Sequence, residues 1–226
     1  MRQFRLRLAR QAALPEGRVA LEFAEPLPAV PGQFYLALAA TGQTGYLREP
    51  VFPEALAGGW VVDLPAAWAS LRPGDEVDLL GPCGRGQSPA GGNVLLIAGP
   101  EGAGRVRALA RAAVGAGAAA TLLGERPLPL GDLPAEVEVR FGFEALPEAL
   151  DWATSLYADL PAEALAEVRR GLRERGRPGR LQARAFRLPV TPCGVGACGA
   201  CAVPAGRGWK LACVDGPWFD LTEIGD

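Results

Sequence analysis

Histidine is absent from this 226-residue sequence, and methionine occurs only once. The missing imidazole excludes histidine as a general acid or base, as the partner of a Ser or Cys nucleophile, and as a metal ligand. A continuous apolar run of about 18 residues, which a membrane-spanning helix needs, is also missing. The formal net charge of −2 does not favour binding to nucleic acid or to an anionic membrane surface. We therefore expect neither a nucleic-acid nor a membrane partner.

The composition is that of an ordinary globular protein. With 49% hydrophobic and 21% charged residues, the chain can form two small domains and an additional segment. Near the N-terminus, Phe4, Leu6 and Leu8 alternate with Arg5 and Arg7. This alternation is typical of a strand and differs from the continuous apolar core of a signal peptide. We predict a cytoplasmic protein, in which cysteine thiols stay reduced.

Residues 1–91 are predicted to form an antiparallel β-barrel domain. Short alternating segments are separated there by turn-forming pairs such as Pro31-Gly32 and Pro73-Gly74, as in small barrels and sandwiches. The predicted strands are residues 2–8, 18–23, 33–39, 60–64 and 76–80.

Residues 92–178 change to alternating strands and helices, which indicates a parallel α/β domain. The predicted strands are 94–98, 120–123, 137–141 and 155–158. The predicted helices are 105–117 and 162–175, and residues 99–104 form a tight turn before the first of them. Residues 177–180 read as a linker, and a C-terminal segment, 179–226, begins with alternating residues 181–187. The fold class is therefore a multi-domain α+β protein.

Four of the five cysteines form the pattern C-x4-C-x2-C-x11-C, made by Cys193, Cys198, Cys201 and Cys213. The first three have the spacing of plant-type [2Fe–2S] ligands. A loop that presents three thiolates must curl tightly and point N–H groups at sulfur, and Gly194, Gly196 and Gly199 permit the backbone conformations that this requires. The pattern predicts a [2Fe–2S] cluster and therefore one-electron transfer.

Two other interpretations of the cysteines remain open. A structural zinc site favours two C-x2-C pairs, whereas only Cys198 and Cys201 have that spacing, and a zinc-stabilised interaction protein would be the result. A disulfide framework fits poorly with five cysteines in a cytoplasmic chain. The fifth, Cys83, lies far away in the sequence within Gly81-Pro-Cys-Gly84, and we expect it to be a small turn or core residue.

Together with the cysteine motif, the tail Cys213-Val-Asp-Gly-Pro-Trp-Phe-Asp220 resembles the electron-transfer subunit of type B dihydroorotate dehydrogenase, a member of the wider ferredoxin-reductase family. The resemblance covers essentially the whole chain in domain order, and its most specific part is residues 189–220. Pro31-Gly-Gln-Phe34 and Gly81-Pro-Cys-Gly-Arg-Gly86 also look like landmarks of the family's flavin-binding barrel.

The resemblance implies an electron-transfer circuit. In that family, dihydroorotate reduces FMN on a separate catalytic subunit, electrons cross the [2Fe–2S] cluster one at a time, and FAD collects two of them for NAD+. It implies FAD in the barrel domain, NAD at the α/β domain, a heterotetramer with the FMN-containing subunit, and a role in pyrimidine biosynthesis. A complete substrate-converting site is not expected in this chain.

The resemblance also assigns the FAD phosphates to an Arg-Pro-x-Ser-like element, which corresponds here to residues 47–52. Glu49 stands where the family has its arginine, Phe52 replaces the hydroxyl, and Arg48 lies one position earlier. A Gly-x-Gly-Thr loop of the family corresponds to Leu-Pro-Ala-Ala at residues 64–67. The candidate FAD residues are Arg48, Pro50, Val51, Gly81, Pro82, Gly84 and Gly86. Because the phosphate-binding groups are altered, a flavin-free relay with another acceptor remains an alternative.

The candidate NAD residues are Gly99, Gly102 and Gly104. They follow a predicted strand and open a helix, which is the place for a phosphate-binding loop. The loop is not G-x-G-x-x-G, and Glu101 would repel a phosphate. The family's later Cys-Gly-Pro element appears here as residues 158–161, Ala-Asp-Leu-Pro. A strand–turn–helix without a dinucleotide is therefore the alternative.

Arginines crowd the sequence before the first cluster cysteine, at Arg169, Arg170, Arg173, Arg175, Arg177, Arg180, Arg184 and Arg187. A run of like charge is usually a solvated surface. The functional alternative is a docking face for an acidic partner.

Overall fold

The computed structural model describes residues 1–13, 19–23, 25, 28, 30–39, 48–56, 59–62, 70–89, 91–128, 133–176, 181–206 and 208–225. Within these ranges, no helix is long and apolar enough to cross a membrane.

The N-terminal part of the chain forms a seven-stranded antiparallel sheet. Its strands are β1 (Arg2–Ala13), β2 (Val19–Phe23), β3 (Phe34–Ala39), β4 (Glu49–Val51), β5 (Glu54–Leu56), β6 (Gly59–Val62) and β7 (Glu76–Cys83). The strand order is β4-β3-β7-β1-β2-β6-β5. The predicted strands are confirmed, except that residues 18, 63 and 64 lie outside the described residues. The sequence did not predict β4 and β5, because three residues are too few to show a period of two.

Alternation in β1 produces the core of this sheet. Leu6 and Leu8 are buried while Arg5 and Arg7 face solvent. In the pairing of β1 with β7, Phe4 lies opposite Leu79 and Leu6 opposite Val77. The apolar side chains of both strands therefore meet on one face, where Tyr35 completes the packing.

The remaining elements follow in chain order as β8 (Asn93–Ala98), α1 (Ala103–Gly115), β9 (Ala119–Gly124), β10 (Glu138–Phe141), α2 (Leu146–Trp152), β11 (Ser155–Asp159), α3 (Ala162–Glu174), β12 (Gln182–Phe186), β13 (Ala202–Ala205), β14 (Gly208–Leu211) and β15 (Trp218–Asp220). Six of the strands form a sheet of order β10-β9-β8-β11-β12-β15, and β13 and β14 form a separate hairpin. The first five strands are parallel, and β15 runs antiparallel to β12.

The predicted α/β domain is confirmed in its architecture, with differences at element ends. α1 begins two residues earlier than predicted because the short 3-10 turn at Pro100–Gly102 leads directly into it. α2 was not predicted. It has only seven residues and a proline in its first turn, a position that tolerates proline although the residue type argues against a helix. α1 packs on one face of the sheet, while α2 and α3 cover the other.

The C-terminal segment is built into both larger parts of the molecule. β12 and β15 complete the α/β sheet, and Cys201 and Cys213 share an apolar core with Phe34 and Leu36 of the N-terminal sheet. The domain boundaries at 91/92 and 178/179 stay predictions, and the predicted linker 177–180 lies outside the described residues.

A direct backbone contact joins the end of β7 to the segment after β14. The N–H of Gly84 donates to the carbonyl of Cys213 at 2.8 Å, and the N–H of Arg85 donates to the carbonyl of Gly216 at 2.6 Å. Gly84 has φ of +75°, and a Cβ placed on it would lie 2.4 Å from the Gly216 oxygen. Only glycine allows the two segments to come this close.

We predict that Gly84→Ala destabilises the protein more than Gly91→Ala does. Gly91 has φ of +74° with nothing within 4 Å of an added Cβ. An alanine at Gly91 would therefore strain the backbone as it does at Gly84, but its Cβ would not collide with another atom. The difference in free energy of unfolding should be about 1–3 kcal/mol, the usual cost of overpacking. Denaturant titration of both variants measures it, and equal losses would show that the contact between the two segments is not tight.

Candidate metal centre

The cysteine loop between β12 and β13 has the tight curvature that its glycines predict. Gly194, Gly196 and Gly199 have φ of +79°, +74° and +70°. All three lie in the left-handed region that favours glycine. The loop therefore folds back on itself and brings its three cysteines close to Cys213, which follows the hairpin.

The four predicted ligands form two pairs. The Sγ atoms of Cys201 and Cys213, both buried, are 3.5 Å apart, and we call these residues the inner pair. Cys193 and Cys198 are joined by a side-chain hydrogen bond and are more exposed, and we call them the outer pair. The charge of Cys193 also contributes to raising the pKa of Cys213, so the inner and outer pairs lie close enough to interact electrostatically.

Backbone N–H groups point at the sulfur atoms of the outer pair. The N–H groups of Cys198 and Val195 lower the pKa of Cys193 to about 6, and the N–H of Ala197 adds to this effect. The N–H of Ala200 lies 3.4 Å from the Cys198 sulfur. Hydrogen bonds of this kind stabilise a thiolate, which is the form that binds metal.

The inner pair has the opposite environment. Burial and then the hydrogen bond that the Cys213 thiol donates to the neighbouring Cys201 raise the pKa of Cys213 to about 11, although the N–H of Gly196 acts in the other direction. A buried thiol of this kind becomes a thiolate when a bound cation replaces its proton.

This donor set fits a two-iron cluster. Such a cluster takes four cysteine thiolates, two on each iron, and the chain supplies two thiol pairs with N–H donors aimed at sulfur. A tetrahedral zinc ion instead needs four sulfurs about 2.3 Å from one point. Among the described residues, no group of three or more His, Cys, Asp or Glu side chains is placed to hold a single metal ion.

Cys83 lies beside the inner pair, and the sequence did not predict this position. It is a buried core residue, as expected. Its Sγ lies 3.7 Å from both the Leu80 carbonyl oxygen and the Met1 sulfur. Burial and then the neighbouring Cys213 raise the pKa of Cys83 to about 12. The only hint in the sequence is that a cysteine occurs within the barrel landmark at residues 81–86.

The candidate FAD residues lie on neighbouring strands. Arg48, Pro50 and Val51 are at or next to the edge strand β4, which pairs with β3, and β3 pairs in turn with β7. Gly81 and Pro82 lie near the end of β7, and Gly84 and Gly86 follow this strand. The structure thus brings the candidates to one part of the N-terminal sheet, and residues 64–67 lie outside the described part of the chain.

The Arg48 side chain is engaged within this sheet. Its guanidinium lies 2.8 Å from an Asp78 carboxylate oxygen and donates to the carbonyls of Leu36 and Asp78. An arginine held by a carboxylate has less charge to offer a phosphate.

A stack of charged and aromatic side chains connects the two large sheets. The Arg105 guanidinium lies 4.3 Å from the ring centre of Phe186 and 5.2 Å from that of Phe52. It also donates to both carboxylate oxygens of Asp159, at 2.5 and 3.3 Å. We call Phe52, Arg105, Asp159 and Phe186 the arginine stack. The sequence did not predict it, because its members are far apart in the chain.

The arginine stack borders the predicted nucleotide loop. Gly99 and Gly102 line a cavity of about 780 Å³ together with Arg105 and Asp159. The cavity lies at the carboxyl ends of β8 and β11, where the strand order reverses and α/β sheets commonly bind ligands. A Cβ placed on Gly102 would lie 2.6 Å from the Asp159 carboxyl carbon. The space beside this loop is therefore taken by a carboxylate of the chain itself, and Gly104 lies in α1.

The arginine-rich stretch is largely tied to its own chain in the described residues. Arg169 donates to the Ile224 carbonyl, Arg187 to the Leu160 carbonyl, and Arg175 pairs with Asp151 at 3.3 Å. Arg170 makes longer ion pairs along α3, and Arg173 is exposed. Arg177 and Arg180 lie outside the described residues. Docking of an acidic partner at this stretch stays a prediction.

The comparison with protein families matches residues 191–225 to the iron–sulfur cluster binding domain of dihydroorotate dehydrogenase B. All four cysteines of the inner and outer pairs lie within the match. The C-terminal segment is therefore an iron–sulfur cluster binding domain. A search of curated proteins found no relative that matches this chain.

Solved structures with this fold include ferredoxin reductases. The chain is similar to an NADH-dependent reduced ferredoxin-NADP oxidoreductase described for flavin-based electron bifurcation, with 20% identity, a TM-score of 0.73, and coverage of 97% of this chain and 89% of that one. It is also similar to the FAD apo form of the ferredoxin reductase in carbazole 1,9a-dioxygenase, with 19% identity, a TM-score of 0.58, and coverage of 80% of this chain and 66% of that one. A third similar structure is ferredoxin-NADP+ reductase from Plasmodium falciparum with 2'P-AMP, with 10% identity, a TM-score of 0.61, and coverage of 81% of this chain and 96% of that one. These similarities confirm the ferredoxin-reductase-like fold.

We predict that Cys193 is the most reactive inner- or outer-pair thiol toward iodoacetamide at neutral pH in the metal-free protein. A lowered pKa means that its thiolate predominates above about pH 6, while Cys213 stays protonated until far higher pH. Alkylation followed by peptide mass mapping from pH 5 to 9 gives the profile of each site. In denaturant the two thiols should alkylate alike. Alkylation of native Cys193 only above pH 8 would contradict the N–H donation described here.

Proposed function

We propose that this chain, which carries an iron–sulfur cluster binding domain on a ferredoxin-reductase-like fold, is an electron-transfer subunit that serves a dihydroorotate dehydrogenase. It receives electrons from the FMN-containing catalytic subunit and passes them through a [2Fe–2S] cluster, and through FAD, to NAD+ or another acceptor. The observation that carries the proposal is the arrangement of four thiols in two pairs within the segment that matches dihydroorotate dehydrogenase B.

Each pair has a distinct task in holding the cluster. Cys193 and Cys198, the more exposed pair, would hold one iron, and the buried Cys201 and Cys213 would hold the other. When bound, the cluster accepts and releases one electron at a time without proton chemistry, which agrees with a chain that contains no histidine. The N–H groups of Val195, Ala197 and Cys198 stabilise negative charge on the outer sulfurs.

The surface beside the outer pair suits the catalytic subunit. Val195 and Val214 are 59% and 46% exposed, and a Cβ on the intervening Gly196 would lie 3.0 Å from the Val214 side chain. The two valines therefore form one apolar patch next to the exposed Cys198. Apolar contacts at the point of electron entry bring the donor close and exclude water. A heterotetramer, a cytoplasmic location and a role in pyrimidine biosynthesis belong to the same proposal.

FAD is the flavin that we propose for the N-terminal sheet. The fold and the similarity to a reductase described in an FAD apo form support it. The candidate residues are Arg48, Pro50, Val51, Gly81, Pro82, Gly84 and Gly86, which lie together around the ends of β4 and β7.

A flavin-free relay is the second candidate function, and two contacts favour it. Arg48 is paired with Asp78, and Phe52 packs against Arg105, Phe186 and Phe34. The Arg48 charge is therefore engaged within the chain, and Phe52 has no polar group that could bind a flavin phosphate. In this version the N-terminal sheet is a scaffold, and the acceptor is not NAD+.

We predict that anaerobically purified protein contains about two irons and two acid-labile sulfides per chain, together with FAD. Iron, sulfide, zinc and released flavin are quantified on one sample with its absorption spectrum. Iron and sulfide without flavin, even after addition of FAD, would select the flavin-free relay. Zinc in place of iron, retained after anaerobic reconstitution, would contradict both electron-transfer functions.

We predict that the double variant Val195→Glu/Val214→Glu slows reduction of the cluster by the catalytic subunit and dihydroorotate. Carboxylates in the apolar patch would be desolvated on docking, at a cost of about 1–3 kcal/mol or roughly tenfold or more in rate. Stopped-flow absorption measures the rate under anaerobic conditions. Val139→Glu on β10, at the opposite edge of the α/β sheet, is the matched control and should have no effect.

Reduction of the same samples by dithionite shows whether the cluster is intact. An intact cluster that the catalytic subunit reduces equally fast in all three proteins would place docking elsewhere. An intact wild-type cluster that dihydroorotate and the catalytic subunit never reduce would argue against this partner.

A further inference from the structure

The metal centre contains one thiol more than a two-iron cluster uses. Besides the inner and outer pairs, Cys83 from the end of β7 is buried in the same apolar core as Cys201 and Cys213. It comes from the N-terminal sheet, more than one hundred residues before the cysteine loop. The fold, and not the ligand motif, brings it there.

Cys83 lies close to the segments that carry two of the predicted ligands. The N–H of its neighbour Gly84 donates to the Cys213 carbonyl at 2.8 Å, so the backbones of Cys83 and Cys213 are held side by side. On its other side, a Cβ placed on Gly194, the residue after Cys193, would lie 3.3 Å from the Cys83 sulfur. Cys213, Cys193 and Cys201 all influence Cys83 electrostatically, and Cys213 does so most strongly among them.

Among the described residues, the Cys83 side chain makes only weak contacts that would hold it away from the predicted cluster site. Its contacts with the Leu80 carbonyl and the Met1 sulfur are both 3.7 Å long, and a thiol is a weak hydrogen-bond donor. Thiolate sulfur is a suitable ligand for iron, and Cys83 is buried in the same apolar core as two of the predicted ligands.

The geometry points to Cys83 as a reserve ligand, which binds the inner iron in place of Cys213 when the Cys213 thiolate is lacking. One Fe–S bond forms to Cys83 where the bond to Cys213 is missing. The Cys83 thiol releases its proton to solvent, and no electron is transferred. This inference rests on the proposed function only in requiring that the wild-type chain holds an iron–sulfur cluster.

Four alanine variants test the inference after anaerobic reconstitution with iron and sulfide. We expect Cys213→Ala to retain iron and sulfide, with EPR g values shifted from those of the wild type because one ligand has changed. We expect Cys83→Ala to resemble the wild type, and Cys83→Ala/Cys213→Ala to lose the cluster. Cys198→Ala is the matched control: it removes a predicted ligand that is exposed, whereas Cys83 is buried, so we expect that Cys83 does not replace it and that the cluster is lost.

Each result bears on one claim. Loss of the cluster in Cys213→Ala, or its equal retention in the single and double variants, would overturn the reserve ligand. Retention in Cys198→Ala to the same extent as in Cys213→Ala would also overturn it, because proximity to Cys83 would then not matter. Circular dichroism of each metal-free variant identifies any that fails to fold, and Cys83→Ser/Cys213→Ala then replaces the double variant. A wild-type chain without iron would instead refute the proposed function.

Discussion

The backbone contact between the end of β7 and the segment after β14 is the constraint on which the metal centre depends. Two short hydrogen bonds, from Gly84 to Cys213 and from Arg85 to Gly216, hold the fourth predicted ligand, Cys213, against the N-terminal sheet. A buried hydrogen bond contributes about 1 kcal/mol, but an orphaned buried carbonyl costs about 1–3 kcal/mol. The contact therefore fixes the position of Cys213 more firmly than its net energy suggests. It also explains why three separate parts of the sequence share one apolar core around the inner pair.

The same contact gives the two cysteine pairs different degrees of burial. The inner pair is buried between the two sheets, where burial favours neutral thiols, while the outer pair receives several backbone N–H groups and partial exposure. Negative charge is thus stabilised most at the surface, where a partner protein can approach within tunnelling distance. A relay needs this polarity, because the electron must be accessible to a donor on one side and remain connected to the protein interior on the other.

Local patterns predicted much of the fold and supplied the four candidate ligands, since alternation, glycine punctuation and cysteine spacing are properties of short segments. Leu6 and Leu8 on β1, the helix α3 and the four cysteines could all be predicted in this way. Three-residue strands such as β4 are too short to show an alternating pattern. Pro147 argues against a helix in the sequence, so α2 was not predicted. The position of Cys83 and the arginine stack could not be predicted, because each depends on residues from distant segments that only tertiary packing brings together.

The arginine stack gives the glycine-rich loop a physical explanation that does not require a dinucleotide. Asp159 is 7% exposed, and a buried carboxylate is stable only when it is paired and hydrogen-bonded. Arg105 supplies that pair, and Phe52 and Phe186 supply its aromatic surroundings. Gly102 must lack a side chain because Asp159 occupies the adjacent space. The loop glycine is thus needed for an internal ion pair at the loop where the sequence pattern predicts a phosphate-binding turn. Phe52 also belongs to the proposed flavin element. The same contacts therefore connect the candidate flavin residues to the glycine-rich loop, and a change that breaks these contacts at one site would alter the other.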